Sequence, residues 1–447
     1  MHSVAVNAFT FLTIVSRGYL FLSGANVAGA ILDAALLPVY IGIALHNRKY
    51  VFHGLIAYLA ASSVFYLPLR VIPFDLSYLI ILLATVTVMR GQRGGSVSSV
   101  FRSSLISLGG LLAYLAIQVF LRNLTEPQDL QGQIKVIYYL LNALVASYLF
   151  SILFSSSYAR TARQAVMVGV VAYLIAASIG YLFPLESYTW QLETDYRFKS
   201  LFRYPGLSSS NYVANIILVL LALHKLLQKE STPRSSVALY LIIITVTAVL
   251  SQSRGFAISA LAMLITWAVQ AALHARPKDK EKANRYGTGL PALLLLTTVA
   301  ALSFSSPGRT LIAQTADRFT FNDISISNVD DRFNEWTETY GFLQKHAGSA
   351  VLGNLSNTED IRPHNVTLGA VFLFGVPIGL AVSISLWLAA IRYPDLLFVL
   401  LAAQVEILFF TGTFDFLFLV FLCLVADNRQ GNAKIPQRSS ASIRATP

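Results

Sequence analysis

The chain has 447 residues, of which 55% are hydrophobic and only 12% charged, and its mean hydropathy is +0.62. A soluble domain carries about a quarter charged residues, so 33 Lys+Arg and 22 Asp+Glu are too few to cover a soluble globule of this size. This composition excludes a cytosolic enzyme, a secreted disulfide scaffold and a disordered protein, and it predicts a polytopic membrane protein. The single cysteine, Cys423, excludes an intrachain disulfide and a cysteine-based metal site.

Runs of about 20 apolar residues, the length that crosses a bilayer, recur along the chain. Residues 1–25 have no basic leader and no small-residue cleavage site, so we expect the first run to remain as a span. The predicted fold is all-α, a polytopic transmembrane helix bundle of about 12–14 spans. The candidate spans lie near 5–22, 27–45, 51–69, 74–89, 103–121, 134–154, 164–184, 211–228, 236–250, 255–274, 289–305, 365–391, 395–410 and 413–426.

Basic residues concentrate in alternate connections between these spans. Examples are Arg48, Lys49, Arg90, Arg93, Arg160, Arg163, Lys225, Lys229, Lys278, Lys280 and Arg429. The positive-inside rule places these connections and both termini in the cytoplasm. The net charge of +11 is therefore explained by topology, and no nucleic-acid partner is needed.

Two polar outer segments divide the spans into blocks. We predict N-terminal transmembrane helices over 1–184, an outer loop over 185–210, central transmembrane helices over 211–305, a large outer loop over 306–364, C-terminal transmembrane helices over 365–426 and a basic cytoplasmic tail over 427–447. The segment 306–364 is far longer than an ordinary connection, which indicates a functional role.

Inside that large loop, the stretch DDRFNEWTETYGFL has the apolar spacing of an amphipathic helix. The residues predicted to share its apolar face are Phe333, Trp336, Tyr340 and Leu343. The helix either lies on the membrane or over a cavity, or its aromatic residues dock it on the bundle. Asp330 or Asp331 is predicted to cap its N-terminus, with a divalent cation as the alternative role for the pair.

Three short motifs fall at predicted outer ends of spans. RYPGLSSSN covers Arg203–Asn211, SQSRG covers Ser251–Gly255, and RPHN covers Arg362–Asn365. A helix N-terminus carries unpaired N–H groups and partial positive charge, and guanidinium groups bind phosphate in a bidentate way. The combination predicts a phosphate site. The alternative role of Arg254 is a snorkelling arginine that anchors the helix end, and the alternative for Arg203 is an ordinary surface-loop arginine.

His364 is the candidate general base of this site. An imidazole has an unperturbed pKa of about 6.5, so it accepts a proton from a hydroxyl near neutral pH. Helix capping or packing remains the alternative for His364, and capping is the default role for Asn365 and Ser253. The outer loops show no His with Asp or Glu at metal-ligand spacing, and we expect neither a metal nor another cofactor.

Four charged residues fall inside predicted spans, where such groups mark a pathway, a site or a buried pair. They are Arg17, Asp33, Glu406 and Asp415. Arg17 and Asp33 are candidates for an ion pair between the first two helices.

Four segments taken in order resemble the O-antigen ligase and polymerase superfamily. They are RYPGLSSSNYVAN, SRGFAISALAML, VDDRFNEWTETYGFL and HNVTLGAVFLFGVPIG, with a large outer loop in the expected place, and the similarity covers about 200–388. Family members often have Pro-Asn where this chain has Ser210-Asn211, so the first motif departs from the pattern.

The resemblance implies a GT-C-like membrane glycosyltransferase, working without a metal at the outer face of the bacterial cytoplasmic membrane. The implied donor is a glycan on undecaprenyl diphosphate, and the acceptor is another lipid-linked repeat unit in a polymerase or the lipid A–core in a ligase. Membrane lipids and a chain-length regulator are further candidate partners. Carried over by motif, the catalytic residues are His364, Arg203 and Arg254. The candidate binders of diphosphate or glycan are Arg362, Asn365, Ser253, Arg197, Lys199 and Arg332.

This assignment predicts an inverting displacement. Negative charge builds on the departing diphosphate, and fixed arginines stabilise it in a low-dielectric site while His364 activates the attacking hydroxyl. We favour a polymerase over a ligase. The alternatives from other classes are a lipid-linked oligosaccharide flippase or secondary transporter, and a structural membrane partner without chemistry.

Overall fold

The computed structural model describes fourteen stretches of the chain, and all structural statements below refer to them. They are residues 2–22, 26–59, 64–65, 74–75, 109–110, 112–121, 159–182, 210–226, 234–251, 253–273, 285–319, 326–354, 365–392 and 394–403.

Helices make up nearly all of these stretches, which confirms the predicted α-helical fold at that level. The first helices are α1 (His2–Leu22), α2 (Asn26–His46), a 3₁₀ turn (Arg48–Tyr50), α3 (Val51–Leu59), α4 (Leu112–Leu121), α5 (Ala159–Leu182), α6 (Ser210–Leu226) and α7 (Arg234–Ser251). The later helices are α8 (Arg254–Leu273), α9 (Arg285–Phe304), α10 (Ser306–Phe319), α11 (Ile326–Lys345), α12 (Ala347–Leu352), α13 (Val366–Phe374), α14 (Val376–Arg392) and α15 (Pro394–Ala403). Two short strands, β1 (Val64–Phe65) and β2 (Phe74–Asp75), pair in antiparallel fashion.

The helix α5 lies at the centre of the bundle. It packs against α1, α3, α6, α7, α9 and α10, and most of its side chains are buried. Gly169 lets α3 approach closely, because a side chain there would collide with Ile56. Within the described stretches, α5 is the one helix both long and apolar enough to cross a membrane, over Arg160–Ile179.

Several outer helices expose aliphatic rather than polar faces. On α8 the exposed residues at helical spacing are Ile258, Leu261, Ile265 and Val269, and on α14 they are Leu380, Ile384, Leu388 and Ile391. A surface helix of a soluble protein shows the opposite pattern, with its apolar stripe turned toward the core. These stripes therefore form large exposed apolar surfaces of the kind that mark an interaction or membrane-contact region.

The predicted span over 51–69 is wrong. The helix α3 ends at Leu59, and Val64–Phe65 pairs as a strand with Phe74–Asp75, where the next span was predicted to begin. Pro68 and Pro73 lie between these two strands in the sequence, and proline is incompatible with a helix interior.

The C-terminus of α3 packs inside the bundle, and side chains from two other helices bond its carbonyl groups. The last four carbonyls of a helix have no partner within the helix. Tyr173 of α5 donates its hydroxyl to the Ile56 carbonyl, and buried Arg17 of α1 donates to the Ala57 carbonyl. A cation at this end also complements the helix dipole. The Ala57 carbonyl is thus one partner of Arg17, and the predicted ion pair with Asp33 is not tested because the Asp33 side chain lies outside the description.

The predicted single span over 365–391 is also wrong, because the chain reverses at Gly375. It forms the two packed helices α13 and α14, and Gly379 of α14 meets the backbone of Val371 of α13 so closely that no side chain fits there. Gly375 has φ 81°, a left-handed conformation that glycine adopts without strain. The nine residues of α13 extend about 13 Å, less than half of a bilayer core of about 30 Å.

The turn of this helical hairpin is closed by hydrogen bonds to the last carbonyls of α13. The Asn354 amide donates to Phe372 O at 2.7 Å, Gln118 Nε2 to Leu373 O at 3.4 Å, and the Tyr114 hydroxyl to Phe374 O at 2.9 Å. Leu115 of α4 forms one buried cluster with Ala370 and Phe374. All three carbonyls at the buried helix end are therefore satisfied, as buried backbone groups require.

The predicted large outer loop is largely helical where it is described, and its amphipathic helix α11 differs from the prediction in two ways. It begins at Ile326, so Asp330 and Asp331 lie inside the helix and do not cap it. The four apolar residues do not share one buried face: Leu343 is buried and Trp336 half-buried, while Phe333 and Tyr340 are exposed. The apolar spacing was correct, but fully buried Thr339 occupies the centre of the packed face instead.

Candidate functional site

The SQSRG motif forms a tight corner between α7 and α8. Ser251 Oγ accepts a hydrogen bond from the Ser253 amide at 3.3 Å, and Ser253 Oγ accepts one from the Phe256 amide at 3.3 Å. Both serines are buried. Ser253 therefore caps the N-terminus of α8, and Arg254, the first residue of that helix, is held half-buried at the corner.

The segment that was predicted as the large outer loop lies against this corner. Thr315 of α10 donates its hydroxyl to Val249 O at 3.2 Å, in the last turn of α7, and Thr315 is buried. Ser305 starts α10 by accepting from the Gly308 amide at 3.1 Å, directly after α9 ends. The corner that carries Arg254 and the first helix of the 306–364 segment are thus at the same end of α7.

Asn365 of the RPHN motif caps α13. Its backbone is extended (φ −150°, ψ 129°), and its side-chain oxygen accepts from the Thr367 amide at 2.9 Å and the Leu368 amide at 3.0 Å. The next residue, Val366, belongs to the same buried apolar cluster as Leu250 and Phe256, which flank the SQSRG corner in sequence. One continuous core therefore carries both capped helix ends.

Capping by side chains reduces the number of free backbone N–H groups that these two helix ends can offer to an anion. At α13, the amides of Thr367 and Leu368 are bonded to Asn365, and at α8 the Phe256 amide is bonded to Ser253. An anion at either end has fewer free N–H groups than an uncapped helix would offer. The default role of Ser253 and Asn365 as caps is confirmed. The anion site predicted at the corner stays a prediction, and it depends mainly on the guanidinium of Arg254.

The remaining predicted site residues are not brought together by the described structure. Arg203, His364, Arg362, Arg197 and Lys199 lie outside the described residues. Arg332 lies in α11, and its side chain is outside the description. Their proximity to Arg254 stays a prediction.

Sequence reasoning missed the polar residues that close the hairpin beside Asn365. Tyr114 and Gln118 are one turn apart on α4, and both donate to carbonyls of α13. Gln118 is fully buried, and its Oε1 has no hydrogen-bond partner in the structure. Gln118 is the only amide side chain in the apolar run LLAYLAIQVF. A polar group inside such a run needs a hydrogen-bond partner, so the sequence did carry a signal for this contact.

A second polar cluster lies at the other end of the central helices. His224 Nδ1 of α6 is 2.6 Å from Tyr240 Oη of α7, and both residues are buried. The Tyr240 ring packs on Trp267 of α8, with ring centroids 5.2 Å apart. Lys225 lies over the Trp267 ring at 5.7 Å. These contacts tie α6, α7 and α8 together at the end away from Arg254.

Within the described ranges, no three or more His, Cys, Asp or Glu side chains come together in a way that could hold a metal ion. No protein-family model matches the chain, and no curated protein matches its sequence significantly.

Proposed function

We propose that this chain is a polytopic membrane glycosyltransferase that extends a glycan carried on undecaprenyl diphosphate, at the outer face of a bacterial cytoplasmic membrane. A polymerase is favoured, and a ligase that transfers the glycan to the lipid A–core is the alternative within the same class. The enzyme is proposed to work by metal-independent inversion, with Arg203 and Arg254 on the diphosphate and His364 as the base.

Membrane insertion is supported by the exposed aliphatic stripes as well as by α5. Residues such as Ile258, Ile265 and Leu388 are more than half exposed, yet they continue the apolar pattern over three turns or more. Lipid tails solvate such a stripe, whereas water does not. The short helices α3 and α13 end against protein partners, which is the condition under which a broken helix is tolerated at membrane depth.

The observation that carries the functional proposal is the corner at Arg254. A half-buried guanidinium begins a helix there, on a cap made by Ser253 and beside the α10 helix of the large segment. Fixed positive charge at a partly dry site stabilises a developing anion more strongly than a solvated charge does. The ordered motifs that resemble the superfamily supply Arg203 and His364 as its proposed companions.

The test is glycan extension by the purified full-length protein in nanodiscs with lipid-linked repeat unit. Arg203→Ala, Arg254→Ala and His364→Ala are each expected to lower the rate by about 100-fold or more, the scale of lost charge stabilisation or acid–base catalysis. Arg309→Ala and His346→Ala, exposed residues of the same large segment, are the matched controls and should leave the rate unchanged. Full-rate extension by all three variants would contradict the proposal.

The second candidate function is a lipid-linked oligosaccharide flippase or secondary transporter. It is favoured by the buried polar face of α1, where Asn7 lies 2.6 Å from His53 Nε2 and Arg17 is buried, and by the broken helices α3 and α13. A vesicle assay separates the two functions: a transporter moves labelled lipid across the bilayer and leaves its glycan the same length.

A further inference from the structure

We propose that the exposed face of α11 is a docking platform for the sugar rings of a neutral glycan, formed by Phe333, Trp336 and Tyr340. This inference rests on the proposed function and assigns the surface that holds the growing or accepting glycan.

Two aromatic rings stand out from this face at a regular spacing. Phe333 is 56% exposed and Tyr340 62% exposed. They are seven residues apart, which is two helical turns and about 10 Å along the axis, so they point to the same side. The Trp336 ring meets the Phe333 ring edge-on, with centroids 5.4 Å apart. The three rings form one ridge along the helix.

The neighbouring face of α11 packs against the helical hairpin. Thr339 is fully buried and Leu343 is buried. Phe342 packs on Phe372 of α13, with ring centroids 5.6 Å apart. The ridge therefore lies on a helix that packs against α13, and α13 is the helix capped by Asn365 at its start.

The polar residues around the ridge fit a hydroxylated ligand better than a lipid surface. Exposed Asn334, Thr337, Glu338 and Gln344 lie between and beside the rings. The helix carries four acidic residues against two basic ones, whereas helices that bind anionic membranes are rich in Lys and Arg. The lipid-facing candidates α8 and α14 instead expose continuous aliphatic stripes.

A sugar ring matches this combination of groups. Its C–H face carries slight positive charge and stacks on the negative face of an aromatic ring, while its hydroxyls donate to carboxylate and amide oxygens.

The direct test is calorimetric titration of the full-length protein in phosphatidylcholine nanodiscs with maltohexaose, cellohexaose and chitohexaose. We expect at least one of these hexasaccharides to bind. Phe333→Ala and Tyr340→Ala should each weaken that binding about 10-fold, the usual effect of removing an aromatic anchor. Phe304→Ala and Tyr19→Ala are matched controls, because both are exposed aromatic residues on other helices, and they should leave the affinity unchanged.

Absence of binding by all three hexasaccharides, or binding that both α11 variants leave unchanged, would overturn the inference. Contact of this face with lipid is tested by attaching a fluorescent thiol label to the Phe333→Cys, Cys423→Ser protein. Strong quenching of the label by brominated lipid would also overturn the inference. The assay needs no transfer step. Hexasaccharide binding without glycan extension would therefore count against the proposed function alone. Glycan extension whose rate depends on acceptor concentration in the same way in both α11 variants and in the unmodified protein would count against this inference alone.

Discussion

At the residue scale, four buried or half-buried polar side chains bond the carbonyls at the ends of short helices. Arg17 and Tyr173 bond the carbonyls at the end of α3, and Tyr114 and Gln118 bond those at the end of α13. A buried carbonyl that loses its partner costs about 1–3 kcal/mol. These side chains are therefore what allows two short helices to end inside the protein.

A pair of tyrosines tests this explanation. Tyr173→Phe removes the hydroxyl that bonds Ile56 O and keeps the ring, so it should destabilise the protein by about 1–3 kcal/mol. Tyr50→Phe is the control, because the Tyr50 hydroxyl is buried without a hydrogen-bond partner and its removal should be neutral or stabilising. Thermal unfolding in detergent measures both. Equal stability of the two variants would contradict the role given to Tyr173.

At the element scale, the reversal at Gly375 decides how the C-terminal helices are arranged. Gly353 and Gly375 both have positive φ, and a side chain at either would collide with the backbone of the neighbouring segment. The two glycines bring the end of α12 and the turn of the α13–α14 hairpin into backbone contact. This contact fixes the place of Asn365 relative to α11 and α12.

Substitution of one glycine at the turn should therefore damage the protein. Gly375→Ala combines an unfavourable φ with a collision against Val351 O, and we expect a destabilisation of more than about 1 kcal/mol. Gly42→Ala, inside α2 with open space around it, should be stabilising by about 0.5–1 kcal/mol. The unfolding temperature should fall in Gly375→Ala and rise in Gly42→Ala. If both temperatures shift in the same direction, the turn does not require a glycine at 375.

The sequence predicts the existence of most described helices but not where they break. Apolar runs locate α1, α2, α5, α6, α7, α8 and α9 within a few residues of their predicted bounds. In 365–391 the hydrophobic pattern continues through Gly375, and the local signal of the break is Gly375 followed by Pro377, a pattern typical of a helix C-terminus. Around Val64 the two prolines were a local signal of a break, but length and hydropathy dominated the prediction.

For the candidate site, the sequence predicted the helix caps but not their contacts with distant segments. Serine or asparagine before an apolar run is an N-cap signal, and Ser253 and Asn365 are caps as expected. Their contact partners across the fold were not predictable. The Thr315 bond to Val249 O joins residues 66 positions apart, and nothing local in either segment indicates the other.

At the scale of the whole molecule, the aliphatic stripes distinguish a lipid-embedded bundle from a soluble one. In water, a substitution at an exposed position away from special features changes stability by about 0.5 kcal/mol or less. In a bilayer, an aspartate near the centre of a span costs about 2.5–3.5 kcal/mol of insertion energy. The same substitution is therefore nearly neutral in water and strongly unfavourable in a bilayer.

Ile265 provides the test, because it is 55% exposed in the middle of α8. Ile265→Asp should sharply lower the amount of protein recovered in the membrane fraction, while Thr337→Asp on the exposed face of α11 should not. Insertion yield in isolated membranes measures the difference. Normal yield of the Ile265→Asp protein would contradict lipid contact at this face.

The central claim is that Arg203, Arg254 and His364 meet in one pocket at the outer membrane face. Because Cys423 is the only cysteine, pairs of new cysteines at these three positions can be cross-linked with a short, membrane-impermeant bis-maleimide in a Cys423→Ser background. The account predicts cross-links within all three pairs in intact cells, and none between any of them and a control cysteine replacing His46. Unlinked pairs, or reaction only after the cells are permeabilised, would contradict it.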